Sequence, residues 1–269
     1  MNILSENTHL LGYPHAQEIG FLPSEISNGQ IMGLLSKFFS NARKPEGFLG
    51  KIMVNGMNGG GHAAMANWAL EMVTIGRDDR ILDIGCGGGA NIARLLQRTL
   101  RGTVTGIDFS PVSVRKSTKV NAKAIQEGRC KVLEGNVANL PFTEGSFDVV
   151  TAFETIYFWP DIEHCFNEVK RVLKPGGQFV IVNESDGSGE MDAKWESMIK
   201  GMHTYTPEEV RLHLTNVGFR DLNITVNEEK RWLCATARKC STVSACRLHC
   251  PQTVNPDHSV VVGFRDVAQ

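Results

Sequence analysis

A short apolar run that ends in a glycine loop constrains the fold of this chain more than any other feature. Residues 80–84 form a short, mostly apolar run, and four of the next five residues (85–89) are glycine. Ile92, Leu95 and Leu100 follow at the spacing of one helix face. Glycine is needed where a backbone turns sharply or a ligand approaches the main chain. The pattern predicts a strand, a turn and a helix, with either a ligand-binding loop or a simple tight turn between them.

The same strand-then-helix pattern repeats through the middle of the chain. Short apolar or β-branched runs predict parallel strands at residues 80–84, 102–108, 130–134, 147–153 and 179–182. Residues 221–226 and 231–237 predict a closing antiparallel hairpin. We therefore predict an α/β fold, namely a doubly wound, mostly parallel seven-stranded sheet with helices on both faces.

Several helix ends can be identified from their capping residues. Ser110 precedes Pro111, which is the order expected of an N-cap followed by the first helical position. Thr206 and Glu209 form a capping-box pattern for a helix that ends near Gly218. A helix over residues 161–173 should stop at the Lys-Pro-Gly-Gly stretch 174–177, and another helix is expected at residues 62–73.

Composition excludes several classes of protein. The chain of 269 residues has 28 Lys+Arg against 29 Asp+Glu, a formal charge of -1. Such a balance does not favour a nucleic-acid binder that neutralises many phosphates. No run of about 18 apolar residues predicts a membrane span, and the first residues do not resemble a secretory signal. Four of the seven cysteines are scattered through predicted strands, helices and loops, which is typical of reduced thiols, so we expect a cytoplasmic protein.

The glycine loop is compatible with two kinds of cofactor. Gly85, Gly87 and Ala90 satisfy the dinucleotide pattern G-x-G-x-x-G/A, which keeps an NAD(P)-dependent oxidoreductase as an alternative. Asp83, however, directly precedes the loop, where a carboxylate would repel a pyrophosphate and attract an ammonium group. Asp108 ends the next predicted strand and can accept hydrogen bonds from ribose hydroxyls. A nucleoside that carries a nearby cation, such as S-adenosylmethionine, fits these residues.

Five segments resemble, in the right order, the motifs of class I S-adenosylmethionine-dependent methyltransferases. They cover residues 78–184 and comprise 82–89, 106–110, 135–142, 147–150 and 168–177. The resemblance is closest to the small-molecule branch that includes quinone-biosynthesis methyltransferases (methyltransferase type 11). It implies S-adenosyl-L-methionine as cofactor and a small-molecule methyl acceptor, and it implies no nucleic-acid partner. A non-catalytic cofactor-binding protein of the same fold is a further alternative.

The resemblance assigns cofactor-binding roles residue by residue. Asp83 would lie near the methionine ammonium, Asp108 would hold the ribose, and Phe109 would flank the adenine. Asn136 stands where the family usually has Asp, and its amide oxygen can accept the same hydrogen bond. The complete set of predicted cofactor-binding residues is Asp83, Gly85, Cys86, Gly87, Gly89, Asp108, Phe109, Asn136, Val137 and Phe153.

The chemistry does not require a catalytic residue, because methyl transfer needs a general base only when the acceptor is protonated and weakly acidic. His62, Glu154 and Tyr157 are candidates that should flank the acceptor, and His203 is a weaker one. The aromatic segment 153–160 would follow the fourth strand and either wall the acceptor pocket or pack in the core.

The predicted organisation has three parts. Residues 1–60 form an N-terminal helical lid that covers the site together with residues 185–205, residues 61–239 form the cofactor-binding methyltransferase domain, and residues 240–269 form a tail of unknown role. The tail contains Cys240, Cys246, His249, Cys250 and His258, whose spacing matches no common zinc pattern. We therefore predict no metal site.

Overall fold

A computed structural model of the protein describes residues 61–241. The predicted lid over residues 1–60 and all but the first two residues of the tail 240–269 lie outside the described residues. The helices are α1 (Gly61–Glu71), α2 (Ala90–Arg98), α3 (Pro111–Val120), α4 (Ala122–Gln126), α5 (Ile162–Val172), α6 (Glu190–Met198) and α7 (Pro207–Val217). The strands are β1 (Arg80–Ile84), β2 (Thr103–Asp108), β3 (Cys130–Glu134), β4 (Phe147–Phe153), β5 (Leu173–Asn183), β6 (Arg220–Asn227) and β7 (Trp232–Arg238).

The strands form one seven-stranded sheet in the order β3-β2-β1-β4-β5-β7-β6. Strands β1 to β5 pair in parallel, whereas β7 pairs antiparallel with both β5 and β6. The predicted fold class is therefore confirmed, including the closing hairpin. The order of the strands reverses between β1 and β4, because β2 and β3 extend to one side and β4 and β5 to the other.

Each face of the sheet is covered by helices and has its own apolar core. On one face, Met65 and Leu70 of α1 and Ile92 of α2 pack against strand residues such as Val180. On the other face, Phe166 of α5 and Leu214 of α7 pack against residues that include Leu82, Val150 and Phe179. The parallel strands are buried on both faces, which explains why their sequences are continuous apolar runs.

The capping predictions are confirmed in detail. The Ser110 hydroxyl accepts a hydrogen bond from the Ser113 amide at 3.4 Å at the start of α3. In α7 the Thr206 hydroxyl accepts from the Glu209 amide at 3.2 Å, and Glu209 accepts from the Thr206 amide at 2.8 Å. Gly218 ends α7 with a φ of 87°. These local contacts depend on neighbours in sequence, so sequence was sufficient to find them.

Two predicted boundaries were wrong. We expected Leu100 on the buried face of α2, but α2 ends at Arg98, and Leu100 is 51% exposed. The Thr99 hydroxyl donates to the Asp79 carbonyl at 2.9 Å and stops the helix there. We also expected β5 to begin after the Pro-Gly-Gly turn, yet it begins at Leu173. Phe147 of β4 pairs with Leu173 of β5, and Val149 pairs with Gln178. This register shift leaves the turn residues 174–177 unpaired within β5.

The segment 185–205 contains a helix that the sequence did not predict, α6. Arg231 holds its start, because the guanidinium pairs with Asp186 and, at 2.9 Å, with Asp192. Within residues 61–241, none of the helices is both long enough and apolar enough to cross a membrane.

Candidate functional site

A pocket opens at the carboxyl ends of β1, β2 and β4, beside the point where the strand order reverses. Ligands of open α/β sheets bind at such a switch point. The volume is about 930 Å³ when it is measured out to the open mouth. Its walls are formed by Ile84, Gly85, Gly87, Ile107, Asp108, Phe109, Ser113, Gly135, Asn136, Val137, Phe153, Glu154, Thr155, Phe158, Trp159 and Pro160.

The glycine loop between β1 and α2 has a backbone that only glycine adopts without strain. Gly85, Gly87 and Gly89 have φ values of 71°, 51° and 84°. A Cβ atom on Gly85 would lie 2.7 Å from the Thr155 side chain, whereas one on Gly87 would meet only a backbone oxygen at 4.0 Å. The space above Gly87 is therefore open, and a ligand can approach the main chain there.

Gly89 has a different structural role from Gly85 and Gly87. It precedes α2, and a Cβ atom there would lie 2.5 Å from the side chains of Ser117 and Asn121. Cys86 is likewise directed away from the pocket, since its thiol contacts the Ser117 hydroxyl at 3.8 Å. Of these two predicted cofactor-binding residues, neither contributes to the pocket wall. Both pack α3 against the glycine loop.

Asp108 ends β2 and lines the pocket directly below the loop. One carboxylate oxygen accepts from the Gly87 amide at 2.9 Å, and the other accepts from the Ser110 amide at 2.9 Å. Burial raises the pKa of Asp108, while hydrogen bonds from Ser110, Gly87 and Ser113 act in the opposite direction. The carboxylate is thus held at the pocket wall by two backbone amides.

Asp83 lies in β1 and is 1% exposed, and it does not line the pocket. Oδ1 accepts from the Thr151 hydroxyl at 2.8 Å, but Oδ2 has no hydrogen-bond partner among the described residues. Burial, together with the nearby charge of Asp108 and against the hydrogen bond from Thr151, raises the pKa of Asp83 to about 7. A buried carboxylate oxygen without a donor is unfavourable, so this position suits a group that can donate hydrogen bonds or supply positive charge.

The remaining predicted cofactor residues all reach the pocket. Phe109 is 40% exposed at the wall, whereas Phe153 and Val137 are mostly buried. Asn136 follows β3, and its Oδ1 accepts from the Ala138 amide at 3.0 Å. A carbonyl oxygen has two lone pairs, so the Asn136 oxygen can accept one more hydrogen bond.

Two of the candidate catalytic residues, the half-buried Glu154 and the buried Tyr157, form a hydrogen-bonded pair. The Tyr157 hydroxyl donates to Glu154 Oε1 at 3.3 Å and accepts from the Ser185 amide at 3.2 Å. Glu154 Oε1 also accepts from the Glu184 amide. Burial and, to a smaller extent, the neighbouring Glu184 raise the pKa of Glu154 to about 8. Burial also raises the pKa of Tyr157 well above its usual value.

His62 and His203 are placed differently. His62 lies near the start of α1 with a ring nitrogen close to the carboxylates of Glu154 and Glu184. The His203 ring instead faces Glu196 and Glu209 at 3.3 Å and 3.7 Å. His203 does not line the pocket, so the structure gives it no contact with a ligand there.

Sequence reasoning missed two residues at the site, Glu184 and Thr155. Glu184 follows β5 and approaches Glu154 only because β4 and β5 are paired. Thr155 packs against Gly85, and its hydroxyl accepts from Trp159 Nε1 at 2.6 Å.

The aromatic segment 153–160 was predicted either to line the acceptor pocket or to pack in the core, and it does both. Phe158, Trp159 and Pro160 line the pocket, whereas Ile156 and Tyr157 are buried.

Comparison with known proteins shows which family this domain resembles. Residues 82–181 match the family model described as "Methyltransferase domain". A solved structure from Aquifex aeolicus, described as a SAM dependent methyltransferase, superposes with a TM-score of 0.59 at 18% identity. The superposition covers 70% of this chain and 98% of that one, which establishes the shared fold. This part of the chain is therefore similar to methyltransferase domains.

The alignments with two curated relatives cover less than half of this chain. 24-Methylenesterol C-methyltransferase 2 of Arabidopsis thaliana is 32% identical over 112 residues, which is 42% of this chain and 31% of that protein. 27-O-demethylrifamycin SV methyltransferase of Amycolatopsis mediterranei is 34% identical over 110 residues, which is 41% of this chain and 40% of that protein. The chain therefore matches less than half the length of either relative.

Proposed function

We propose that this chain is an S-adenosylmethionine-dependent methyltransferase that acts on a small molecule. One observation carries the proposal. Among the described residues that line the pocket, the charged side chains are Asp108 and Glu154, both acidic. Such a wall attracts a ligand with sugar hydroxyls and positive charge and repels a pyrophosphate. It therefore favours S-adenosylmethionine over NAD(P).

The described residues fit this cofactor. Asp108 would accept hydrogen bonds from the ribose hydroxyls at the mouth of the loop. Asn136 and Val137 would bind the adenine edge, with Phe109 against its face. Asp83, which has an oxygen without a donor, would provide the negative charge below the methionine ammonium. These roles account for the polar side chains around the glycine loop.

The reaction class follows from what the cofactor supplies. When bound, S-adenosylmethionine supplies a methyl group on a sulfonium, and the acceptor displaces the neutral thioether in line. The protein's contribution is to align the acceptor and to exclude water. Phe158, Trp159 and Pro160 would form the apolar side of the acceptor space. The two relatives are named for a methylenesterol and a demethylrifamycin, which favours a small-molecule acceptor here as well.

The Glu154 carboxylate would receive the acceptor's proton if it carries one, and the Tyr157 hydroxyl, which donates to Glu154 Oε1, would hold that carboxylate in place. The Glu154 carboxylate lines the pocket, and its pKa of about 8 suits proton transfer near neutral pH.

Four buried free cysteines among the described residues, Cys86, Cys130, Cys165 and Cys234, favour a reducing compartment such as the cytoplasm.

Isothermal titration calorimetry of the full chain with S-adenosylhomocysteine, the demethylated cofactor, tests the proposal. We expect saturable binding that Asp83→Ala and Gly85→Arg abolish, whereas Glu163→Gln, a change on the surface of α5, leaves it intact. A fluorescence titration with NADH should show no binding. Tight NADH binding without S-adenosylhomocysteine binding would instead establish the oxidoreductase alternative. Cofactor binding without methyl transfer in a broad acceptor screen would indicate a non-catalytic protein.

A further inference from the structure

Three side chains that are far apart in sequence meet at the edge of the pocket. His62 comes from the start of α1, Glu154 from the end of β4, and Glu184 from the end of β5. One imidazole nitrogen and one oxygen from each carboxylate all lie within 4.8 Å of one another. We call these residues the His62–Glu154–Glu184 cluster.

The backbone holds Glu154 firmly in this position. Its φ is 59°, and its amide donates to the Val182 carbonyl of β5 at 2.8 Å. The hydrogen bonds from the Glu184 amide and the Tyr157 hydroxyl both go to Oε1. Among the described residues nothing donates to Oε2, so this oxygen is available to another partner.

The two carboxylates of the cluster lack a basic partner among the described residues. Within residues 61–241, neither Glu154 nor Glu184 forms an ion pair with a lysine or arginine. His62 does not approach either carboxylate closely enough for an ion pair. When both carboxylates are ionised, they repel each other at this separation unless a cation lies between them. A cation that is coordinated by all three groups would remove that repulsion.

The dimensions and chemistry of the cluster match a divalent metal ion. Two ligands on opposite sides of an ion, each at about 2.1 Å, are about 4.2 Å apart. This separation falls within the observed spread of 4.8 Å. One imidazole and two carboxylates form a nitrogen–oxygen ligand set that suits Mn²⁺, Fe²⁺ or Zn²⁺ and does not suit a soft ion such as Cu⁺.

We propose that His62, Glu154 and Glu184 bind a divalent transition-metal ion on the acceptor side of the pocket. Three protein ligands leave coordination positions open, as in metal sites that bind a substrate. Since Glu154 lines the pocket, an open position would face the acceptor. The acceptor would then be a molecule with an oxygen donor that the metal coordinates and activates for attack. This last step rests on the proposed methyltransferase function, whereas metal binding itself does not.

Mn²⁺ is the probe of choice for the test. Thiolates bind Zn²⁺ strongly, and the chain has cysteines at 240, 246 and 250, whereas Mn²⁺ prefers oxygen and nitrogen ligands. The full chain is stripped with a chelator, and Mn²⁺ binding is followed by the loss of the free-ion electron paramagnetic resonance signal. We expect one saturable site. His62→Ala and Glu184→Gln should each weaken it by about tenfold or more, because even outer-shell changes cost 10–100-fold in metal affinity.

His213→Ala is the matched control. His213 contacts Glu163 at 2.9 Å, so this change removes a histidine–carboxylate pair elsewhere in the fold and should leave Mn²⁺ binding unchanged. S-adenosylhomocysteine binding and thermal melting of every variant are measured in parallel. Unchanged melting with weaker Mn²⁺ binding supports the proposal.

Three outcomes would overturn the metal site. The first is no saturable binding at millimolar Mn²⁺, and the second is equal Mn²⁺ binding by wild type and Glu184→Gln. The third is a loss of Mn²⁺ binding in His213→Ala as large as the loss in Glu184→Gln. Each of these can occur while S-adenosylhomocysteine still binds, in which case the proposed function survives. Mn²⁺ binding without S-adenosylhomocysteine binding would instead refute the proposed function and leave the metal site standing.

Discussion

The carboxylate of Asp108 accepts a hydrogen bond from the amide of Gly87 at 2.9 Å, and this bond joins the end of β2 to the glycine loop after β1. The acid that would bind the ribose therefore also shapes the loop below the cofactor. Gly85 and Cys86 strengthen the same connection, because their amides both donate to the Ile107 carbonyl, at 2.8 Å and 3.1 Å. Binding and loop stability are thus coupled through one side chain.

Removing that side chain should affect both properties. Asp108→Ala leaves the Gly87 and Ser110 amides without their acceptor, and hydrogen bonds to charged groups contribute about 1.5–3 kcal/mol each. We expect a loss of about that size in the free energy of unfolding, measured by urea denaturation. S-adenosylhomocysteine affinity should fall by at least about tenfold, which is the equivalent of 1.4 kcal/mol. Glu134→Ala, at the exposed end of β3, is the control and should change neither quantity.

The two glycines Gly87 and Gly89 should respond differently to the same substitution. Gly87→Ala places a Cβ atom in open space, so its cost in stability is the left-handed backbone penalty of about 1–2 kcal/mol. Gly89→Ala adds a contact of 2.8 Å with the Ser117 Cα atom and should be more destabilising. Cofactor binding should weaken more in Gly87→Ala, which alters the pocket wall. Equal effects on stability and on calorimetric affinity in the two variants would contradict these assignments.

Asp83 should make the stability of the ligand-free protein fall as pH rises. Its pKa is raised by burial from 3.8 to about 7, so the folded state retains a proton that the unfolded chain has lost. The stabilisation is complete below the unfolded pKa and disappears as pH rises through about 7. Three pKa units correspond to at most roughly 4 kcal/mol. Thermal melts between pH 4 and 8 should show a smaller decline in Asp83→Asn than in wild type, whereas Asp148→Asn should behave like wild type.

The same carboxyl should make cofactor binding release a proton. A cationic ammonium next to Asp83 favours the charged carboxylate, so below pH 7 the proton must leave as the ligand binds. Affinity for S-adenosylhomocysteine should therefore increase with pH, by up to about tenfold per pH unit below 7. Calorimetry in two buffers with different ionisation enthalpies measures the released proton. Proton release that persists in Asp83→Asn would assign it to a different group.

Asn136 should accept replacement by the residue that the family usually has there. Its amide oxygen already accepts from the Ala138 amide, and a carboxylate can keep that bond while it accepts another from the adenine amino group. We expect Asn136→Asp to bind S-adenosylhomocysteine at least as tightly as wild type. Asn136→Leu, similar in size but without an acceptor, should bind more weakly. Weaker binding by the aspartate variant would mean that the adenine does not use this side chain.

The strands, the helices other than α6, several helix caps and the residues of the glycine loop followed from the amino-acid sequence alone. Turn and cap signals depend on near neighbours, and a continuous apolar run defines a buried parallel strand without information from the rest of the chain. The positions of Asp83, Asp108 and Asn136 were predictable because the carboxyl ends of parallel strands lie at one edge of a sheet. Leu100 was mispredicted because a hydrogen bond from Thr99 to the distant Asp79 ended α2 early.

Only the tertiary structure decided which distant side chains meet beside the pocket. Strand pairing between β4 and β5 brings Glu184 to Glu154, and the packing of α1 on the sheet adds His62, although these residues are widely separated along the chain. The structure also directed Cys86 and Gly89 toward α3 and His203 toward Glu196 and Glu209. Contacts of this kind depend on strand order and helix packing, which are set by burial over the whole domain and leave no local pattern in the sequence.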